Sequence, residues 1–285
     1  MGGQPYLLIV NNCRNKLERR RLLGMGLTAI SAKLVGCDTG EARGDKPRDR
    51  ETVMIQLRRA KDRFHTQLDW LDSRHTFSFG GHYHPGHLGY RALRVINDDR
   101  VTPGAGFGTH GHRDMEIISY VLDGALEHKD SMGNGSVIRP GEVQRMSAGT
   151  GVRHSEYNPL KDSGTRFLQI WIVPERTGIE PSYEQIRFGD EEVRGKLRLV
   201  ASPDGREGTV KVHQDVEVWA GRLEAGEEAT FSMRAGRGVW VHVARGEVVM
   251  GETVLEEGDG AAIEDISTIR LAGKVDGEVL LFDLA

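Results

Sequence analysis

The chain has 285 residues, with 38 lysines and arginines against 42 aspartates and glutamates, a formal charge of −4. That balance gives no reason to expect nucleic acid bound through an overall basic surface. Glycine is frequent at 37 residues and aromatics make up only 6%, a composition of many turns and few long amphipathic helices.

The first 53 residues form a separate object by composition. They carry ten Lys/Arg and six Asp/Glu, a net +4, while the rest carries 28 and 36, a net −8. Both cysteines, Cys13 and Cys37, lie in this extension. Beyond it neither a disulfide nor a thiolate metal site can form. Three readings of 1–53 stand open. One is export: "RRRLLGMGLTAISAKLVGC" has a basic start, a modest apolar stretch and a lipoprotein-like box ending at Cys37. Against it, Lys33, Gly24 and Gly26 interrupt the apolar stretch, which is too short and polar to span a bilayer. The second reading is translation that really starts at Met54, since Arg50-Glu51 is often encoded by the purine-rich run preceding a bacterial start. The third is a disordered tail. The expected location is cytoplasmic, or exported and membrane-anchored if Cys37 is lipidated.

From Met54 onward apolar residues recur with period two. "MIQLRR" alternates, and "YRALRVINDDRV" reads as a strand ending in a turn at Asn97-Asp98-Asp99. "EIISYVLDGALEHKD" places two apolar runs around Asp123-Gly124, a hairpin signal, and Pro140-Gly141 marks another turn. "RFLQIWIVP" is a buried strand stopped by Pro174, and the polar stretch after it predicts a linker over 176–200. The second half repeats the theme: Gly246 matches Gly124 and Gly258 matches Gly141, each pair set between alternating segments. Such self-similarity indicates a diverged duplication. Many short, regularly spaced strands predict an all-β fold of two tandem jelly-roll barrels, 54–175 and 201–285.

One stretch carries chemistry. In "GTHGHRDMEIISYVLDG", His110 and His112 share a strand face. In "GTGVRHSEYNP", His154 and Glu156 do the same. Two neighbouring strands presenting such pairs can close a set of three imidazoles and one carboxylate. That set suits a divalent first-row metal and leaves one or two positions open for chemistry. Glu116 stands four residues after His112 and by count faces the same way, as a ligand, a partner behind an imidazole, or a core-edge glutamate. The spacing favours Glu156 as the carboxylate on the metal, because four strand residues span about 13 Å and two only about 7 Å. His82, His84 and His87 lie in a Pro/Gly loop expected near a cavity mouth. His128 reads as structural, and His213 and His242 stand alone in a second half expected to hold no such metal.

"HGHRDMEIISYVLDGALEHKDSMGNGS" with "MSAGTGVRHSEYNP" resembles the pirin family of the cupin superfamily, supported by "WLDSRHTFSFG", "LRVINDD", "LQIWIVP" and "VHQD" in order. The likeness runs from about Met54 to the end and is nearest to bacterial pirin-like quercetin dioxygenases. It implies a bicupin with metal in the first barrel only, held by His110, His112, His154 and Glu156. It also implies that members begin near Met54, which favours the second reading of 1–53. One departure from the general cupin pattern, Gly149 where a proline is expected before the last histidine, is shared by pirin-like sequences.

Two function classes follow from this resemblance. The first is a dioxygenase that opens a flavonol such as quercetin with O2, with Glu156 as catalytic base and iron first among the metals, before manganese, nickel, copper, cobalt or zinc. The second is a metal-bearing regulatory or binding protein without physiological flavonol turnover, of the kind the resemblance to eukaryotic pirins implies, since those are described as transcription co-regulators whose partner binding follows the metal's redox state.

Overall fold

The computed structural model describes residues 54–285; the extension 1–53, with Cys13 and Cys37, lies outside the described residues. Alternating apolar residues build strand after strand, because alternate side chains share a face. The first half gives β1 (Met54–Arg58), β2 (Phe64–Gln67), β3 (Leu71–His75), β4 (Leu93–Val101), β5 (Gly106–His112), β6 (Glu116–Asp123), β7 (Leu126–Asp130), β8 (Gly135–Ile138), β9 (Glu142–Ser147), β10 (Val152–Tyr157), β11 (Thr165–Ile172) and β12 (Ser182–Arg187). The second gives β13 (Leu197–Ser202), β14 (Val210–Lys211), β15 (Val216–Leu223), β16 (Glu228–Ser232), β17 (Gly238–Met250), β18 (Thr253–Glu256), β19 (Gly260–Glu264) and β20 (Thr268–Leu284). Among the described residues no helix is long and apolar enough to cross a membrane.

The first barrel is made of a seven-stranded sheet, β12-β9-β6-β11-β4-β3-β2, and a four-stranded sheet, β5-β10-β7-β8. The second is a nine-stranded sheet running β1-β19-β17-β20-β15-β13-β14, with β16 on β20 and β18 on β17. Strand β11 shows how the two meet. Its Phe167 joins the apolar interior of the first barrel with Val121 and Leu126. Its Leu168, Ile170 and Ile172 point the other way, into a core shared with Val218, Trp240, Leu280 and Phe282 of the second. A strand buried on both faces needs a nearly continuous apolar run, which is what "RFLQIWI" supplies.

Four local expectations change. Asn97-Asp98-Asp99 is not a turn: all three are buried inside β4. Their partners make this possible. Asn97 Oδ1 accepts from His75 Nδ1 at 2.8 Å, Arg166 grips Asp98 with two bonds of 2.9 Å, and Ser73 donates to Asp99. The Asp123-Gly124 turn forms but makes no hairpin, since β6 pairs with β9 and β11 while β7 pairs with β8 and β10. It is a corner between sheets. The stretch 176–200, expected as a linker, contains β12 on the edge of the first barrel and the start of β13. Finally, β1 pairs with β19 of the second barrel, so the strand at Met54 covers an edge of the far sheet rather than opening the near one. The duplication also has a backbone counterpart. Gly124 and Gly246 have φ of +74° and +65°, and Gly141 and Gly258 have +84° and +85°.

Candidate metal centre

Strands β5 and β10 lie antiparallel, with His154 opposite His110 and Val152 opposite His112. The pairing brings three imidazoles together. Nε2 of His154 is 2.9 Å from Nε2 of His112 and 3.0 Å from Nε2 of His110. Ligands about 2.1 Å from one ion and at right angles to each other lie about 3.0 Å apart, so these separations are those of adjacent ligands around a metal. His154 is buried, while His110 and His112 are half-buried and open the site to one side.

Protonation suits the same purpose. Nδ1 of His110 lies 2.8 Å from the carbonyl oxygen of Gly108, an acceptor, so that nitrogen carries the proton and Nε2 keeps its lone pair. Burial, reinforced by the neighbouring His154 and His110, pushes His112 down to about 3. Burial with His110 and His128 beside it pushes His154 down to about 2. Both rings are therefore neutral near pH 7, the form that ligates. Three imidazoles aimed at one point fit a divalent transition metal.

Glu156 lies one step along the barrel from this group. A register shift between His154 and Glu156 places it opposite Phe107 of β5 and opposite His128 of β7. Its Oε2 is 3.9 Å from Nε2 of His154. The carboxylate is buried and held from the seven-stranded sheet. Gln169 Nε2 lies 2.9 Å from Oε1 and 2.8 Å from Oε2, and the Ser119 hydroxyl donates to Oε1 at 3.2 Å. Neither Gln169 nor Ser119 was expected from the sequence. Their inward positions on β11 and β6 were visible only as polar interruptions in apolar strands. His128 was expected to be structural, yet it is fully buried on β7 with its Nδ1 3.4 Å from Nδ1 of His154.

Glu116 does not stand behind an imidazole of this group. Its Oε2 accepts from the Ser147 hydroxyl at 2.8 Å and from the backbone N–H of His213 at 3.1 Å, tying the first barrel to the start of the second. The residue count from His112 failed because β5 and β6 lie in different sheets, with Asp114 at φ +50° between them. Gly149, the departure from the general cupin pattern, has φ +42°, and a Cβ there would lie 2.0 Å from the Ile179 carbonyl oxygen. Only glycine fits that turn.

Apolar side chains surround the open side. Trp171 packs edge-on against His112, ring centres 4.9 Å apart, and Phe79 packs edge-on against Trp171 at 5.4 Å. Met115, Met132 and Trp171 are partly exposed around a buried patch of Ile117, Met146 and Val152. The histidine loop sits behind these aromatics. His82 stacks on Phe64 and meets Thr66 at 3.1 Å, and His84 stacks on His87. Two broad surface cavities of about 570 and 580 Å³ are lined instead by residues such as Trp219 and Phe231, or Trp70 and Arg100. Neither includes a residue of the imidazole cluster, and neither gathers comparable chemistry.

The model of the pirin family matches residues 56–172, and that of the quercetinase C-terminal cupin domain matches residues 199–284. Quercetin 2,3-dioxygenase of Escherichia coli K12 is 51% identical over 231 residues, covering 81% of this chain and 99% of that protein. The crystal structure of YhhW from Escherichia coli superposes with a TM-score of 0.78 at 50% identity, covering 81% of this chain and 98% of that one. A crystal structure of the same bacterial pirin in complex with nickel(II) gives 0.77 at 50% identity, covering 81% and 99%. With the two-barrel fold and both domain matches in place, the chain belongs to the pirin family of cupins.

Proposed function

We propose that this protein is a metal-dependent dioxygenase that opens a flavonol such as quercetin with O2. The observation that carries the proposal is the meeting of three Nε2 atoms 2.9 and 3.0 Å apart at the open end of the barrel. His110, His112 and His154 would hold one divalent ion, and Glu156 would complete the set or stand beside it as base. Iron, manganese, nickel, copper, cobalt and zinc all accept these donors. The relative solved with nickel(II) supports a metal here without choosing among them.

A divalent ion bound at the imidazoles would supply Lewis acidity that favours the deprotonated 3-hydroxyl of the flavonol. The rest falls to the chain. Glu156 Oε2, on the side of the histidines, accepts the 3-hydroxyl proton. Gln169 and Ser119 keep that carboxylate in place before and after the transfer. Trp171, Met115 and Met132 offer an apolar rim against which flat aromatic rings pack and from which water is displaced.

The test is metal analysis of protein purified from its own host, followed by aerobic flavonol turnover with that metal. Flavonol consumption that disappears together with the metal in His154→Ala supports the proposal. Protein that holds its metal and leaves flavonols intact would instead be a metal-bearing binding protein.

A further inference from the structure

We infer that His128 and Asp130 form a buried positioning pair that fixes the tautomer of His154 and so sets the metal affinity of the site. The inference rests on the ligand assignment proposed above. Strand β7 lies beside β10, with His128 opposite Glu156 and Asp130 opposite His154. The His154 ring is thus addressed from both ends. Its Nε2 faces His110 and His112, and its Nδ1 faces Nδ1 of His128 at 3.4 Å.

Proton counting assigns every nitrogen in this line. His128 Nε2 lies 3.2 Å from Oδ2 of Asp130. A carboxylate can only accept, so His128 Nε2 is the donor. With His128 as the neutral imidazole, this one N–H leaves its Nδ1 with a lone pair. The facing Nδ1 of His154 must then carry a proton, and His154 Nε2 must carry the lone pair that a metal needs. The opposite tautomer of His154 would aim an N–H at the metal position and set two lone pairs against each other inside the barrel.

Asp130 is well built for this part. Its Oδ1 accepts from the backbone N–H groups of Met132 at 2.9 Å and Asn134 at 3.0 Å, and its Oδ2 accepts from Asn134 Nδ2 at 2.8 Å. The side chains of His128 and Asp130 have no solvent exposure. The Tyr183 ring packs on His128, with ring centres 5.0 Å apart. This is a carboxylate–imidazole support behind a ligand, reached through a second histidine.

The isosteric change Asp130→Asn gives the sharpest test. The two backbone donors fix an oxygen at the Oδ1 position, so the new amide NH2 occupies the Oδ2 position and faces His128, while Asn134 turns its side-chain oxygen toward it in place of Nδ2. His128 must then turn acceptor at Nε2 and donor at Nδ1, which forces the proton of His154 onto Nε2. With nickel(II) as probe and a competing chelator as readout, Asp130→Asn and His128→Phe are expected to bind the ion about 10- to 100-fold more weakly. His110→Ala, which removes a proposed ligand, serves as control. If that control binds nickel(II) as tightly as the wild type, the ligand assignment itself fails. If it loses the ion while Asp130→Asn and His128→Phe keep wild-type affinity, only the positioning pair is overturned. A measurement on the unsubstituted protein stands apart from any folding defect. Long-range proton–nitrogen NMR of the metal-free chain should show His154 protonated at Nδ1, and protonation at Nε2 would overturn the inference. So would two nickel(II) ions per chain with the second lost in His128→Phe, because Nδ1 of His154 would then be free to ligate.

Discussion

Gln169 spans the Glu156 carboxylate, its Nε2 lying 2.9 Å from Oε1 and 2.8 Å from Oε2. Among the described residues no lysine or arginine pairs with that carboxylate, and the other hydrogen-bond donor is the Ser119 hydroxyl. Gln169→Leu would leave a buried carboxylate with one weak partner and let it rotate. Flavonol turnover is expected to fall by about 10- to 100-fold, while the three imidazoles still bind metal. Turnover and metal content measured on the same preparation check this. Unchanged turnover would remove Gln169 from the working site.

Glu156 and Glu116 are both buried glutamates, and the structure gives them different tasks. Glu156→Gln should abolish nearly all turnover, since an amide cannot take the substrate proton. Glu116→Gln should leave metal and turnover close to normal and lower the unfolding temperature. It disturbs the bond to Ser147 within the first barrel and the bond to His213 that reaches the second. A loss of about 1–3 kcal/mol is the usual scale for a buried hydrogen-bonding group left mismatched. Calorimetry with a parallel activity assay separates the two effects, and the reverse pattern would return Glu116 to the metal.

That His110, His112 and His154 face one point was legible in the sequence because alternate residues of a strand share a face, whereas the register shift between His154 and Glu156 was not. Glu116 was misplaced because the count ran across Asp114, where the chain leaves one sheet for another. The buried run Asn97-Asp98-Asp99 looked like a turn because its partners His75, Arg166 and Ser73 are remote along the chain. Nothing in "MIQLR" says which barrel it will edge, since backbone pairing carries no residue code. The pair His128-x-Asp130 was visible at the same spacing as the two ligand pairs. Its meaning emerges only from the adjacency of β7 and β10.

The ion pair between Arg166 and Asp98 should be costly to break from one side. Burial opposes ionisation of Asp98, yet the hydrogen bonds and charge of Arg166 hold its carboxyl below the usual range. Arg166 also donates to the Ala244 carbonyl of the second barrel at 3.0 Å. Arg166→Ala leaves the buried Asp98 carboxylate only the longer contacts of Arg63 at 3.6 Å and Arg100 at 3.5 Å, and is expected to cost about 3–5 kcal/mol in denaturant unfolding. Replacing Asp98 as well, in Arg166→Met with Asp98→Leu, should not recover that loss, because the buried Arg63 guanidinium, 3.6 Å from Asp98, then loses its carboxylate. A double variant as stable as the wild type would show that the Asp98 charge alone was the cause and that Arg63 does not depend on it.

His242 should make stability depend on acid. It is fully buried on β17, and among the described residues neither ring nitrogen has a hydrogen-bond partner. Burial pushes it from an ordinary 6.5 down to about 3, with Arg63 and Arg166 adding to the shift and Asp98 and Asp259 opposing it. The folded value lies below the unfolded one, so the unfolded chain takes up the proton first. The contribution of the neutral ring is complete above about pH 6.5 and is lost as pH falls toward about 3. One proton corresponds to about 1.4 kcal/mol per pH unit across that window. His242→Met removes the proton and keeps the site apolar. The difference in unfolding free energy between wild type and this variant should be flat from pH 8 to 7, then shift toward the variant as the pH is lowered to about 4.5. His112 and His154 titrate in both proteins and cancel in the difference. A difference that does not change with pH would mean that His242 takes up its proton as readily in the folded chain as in the unfolded one.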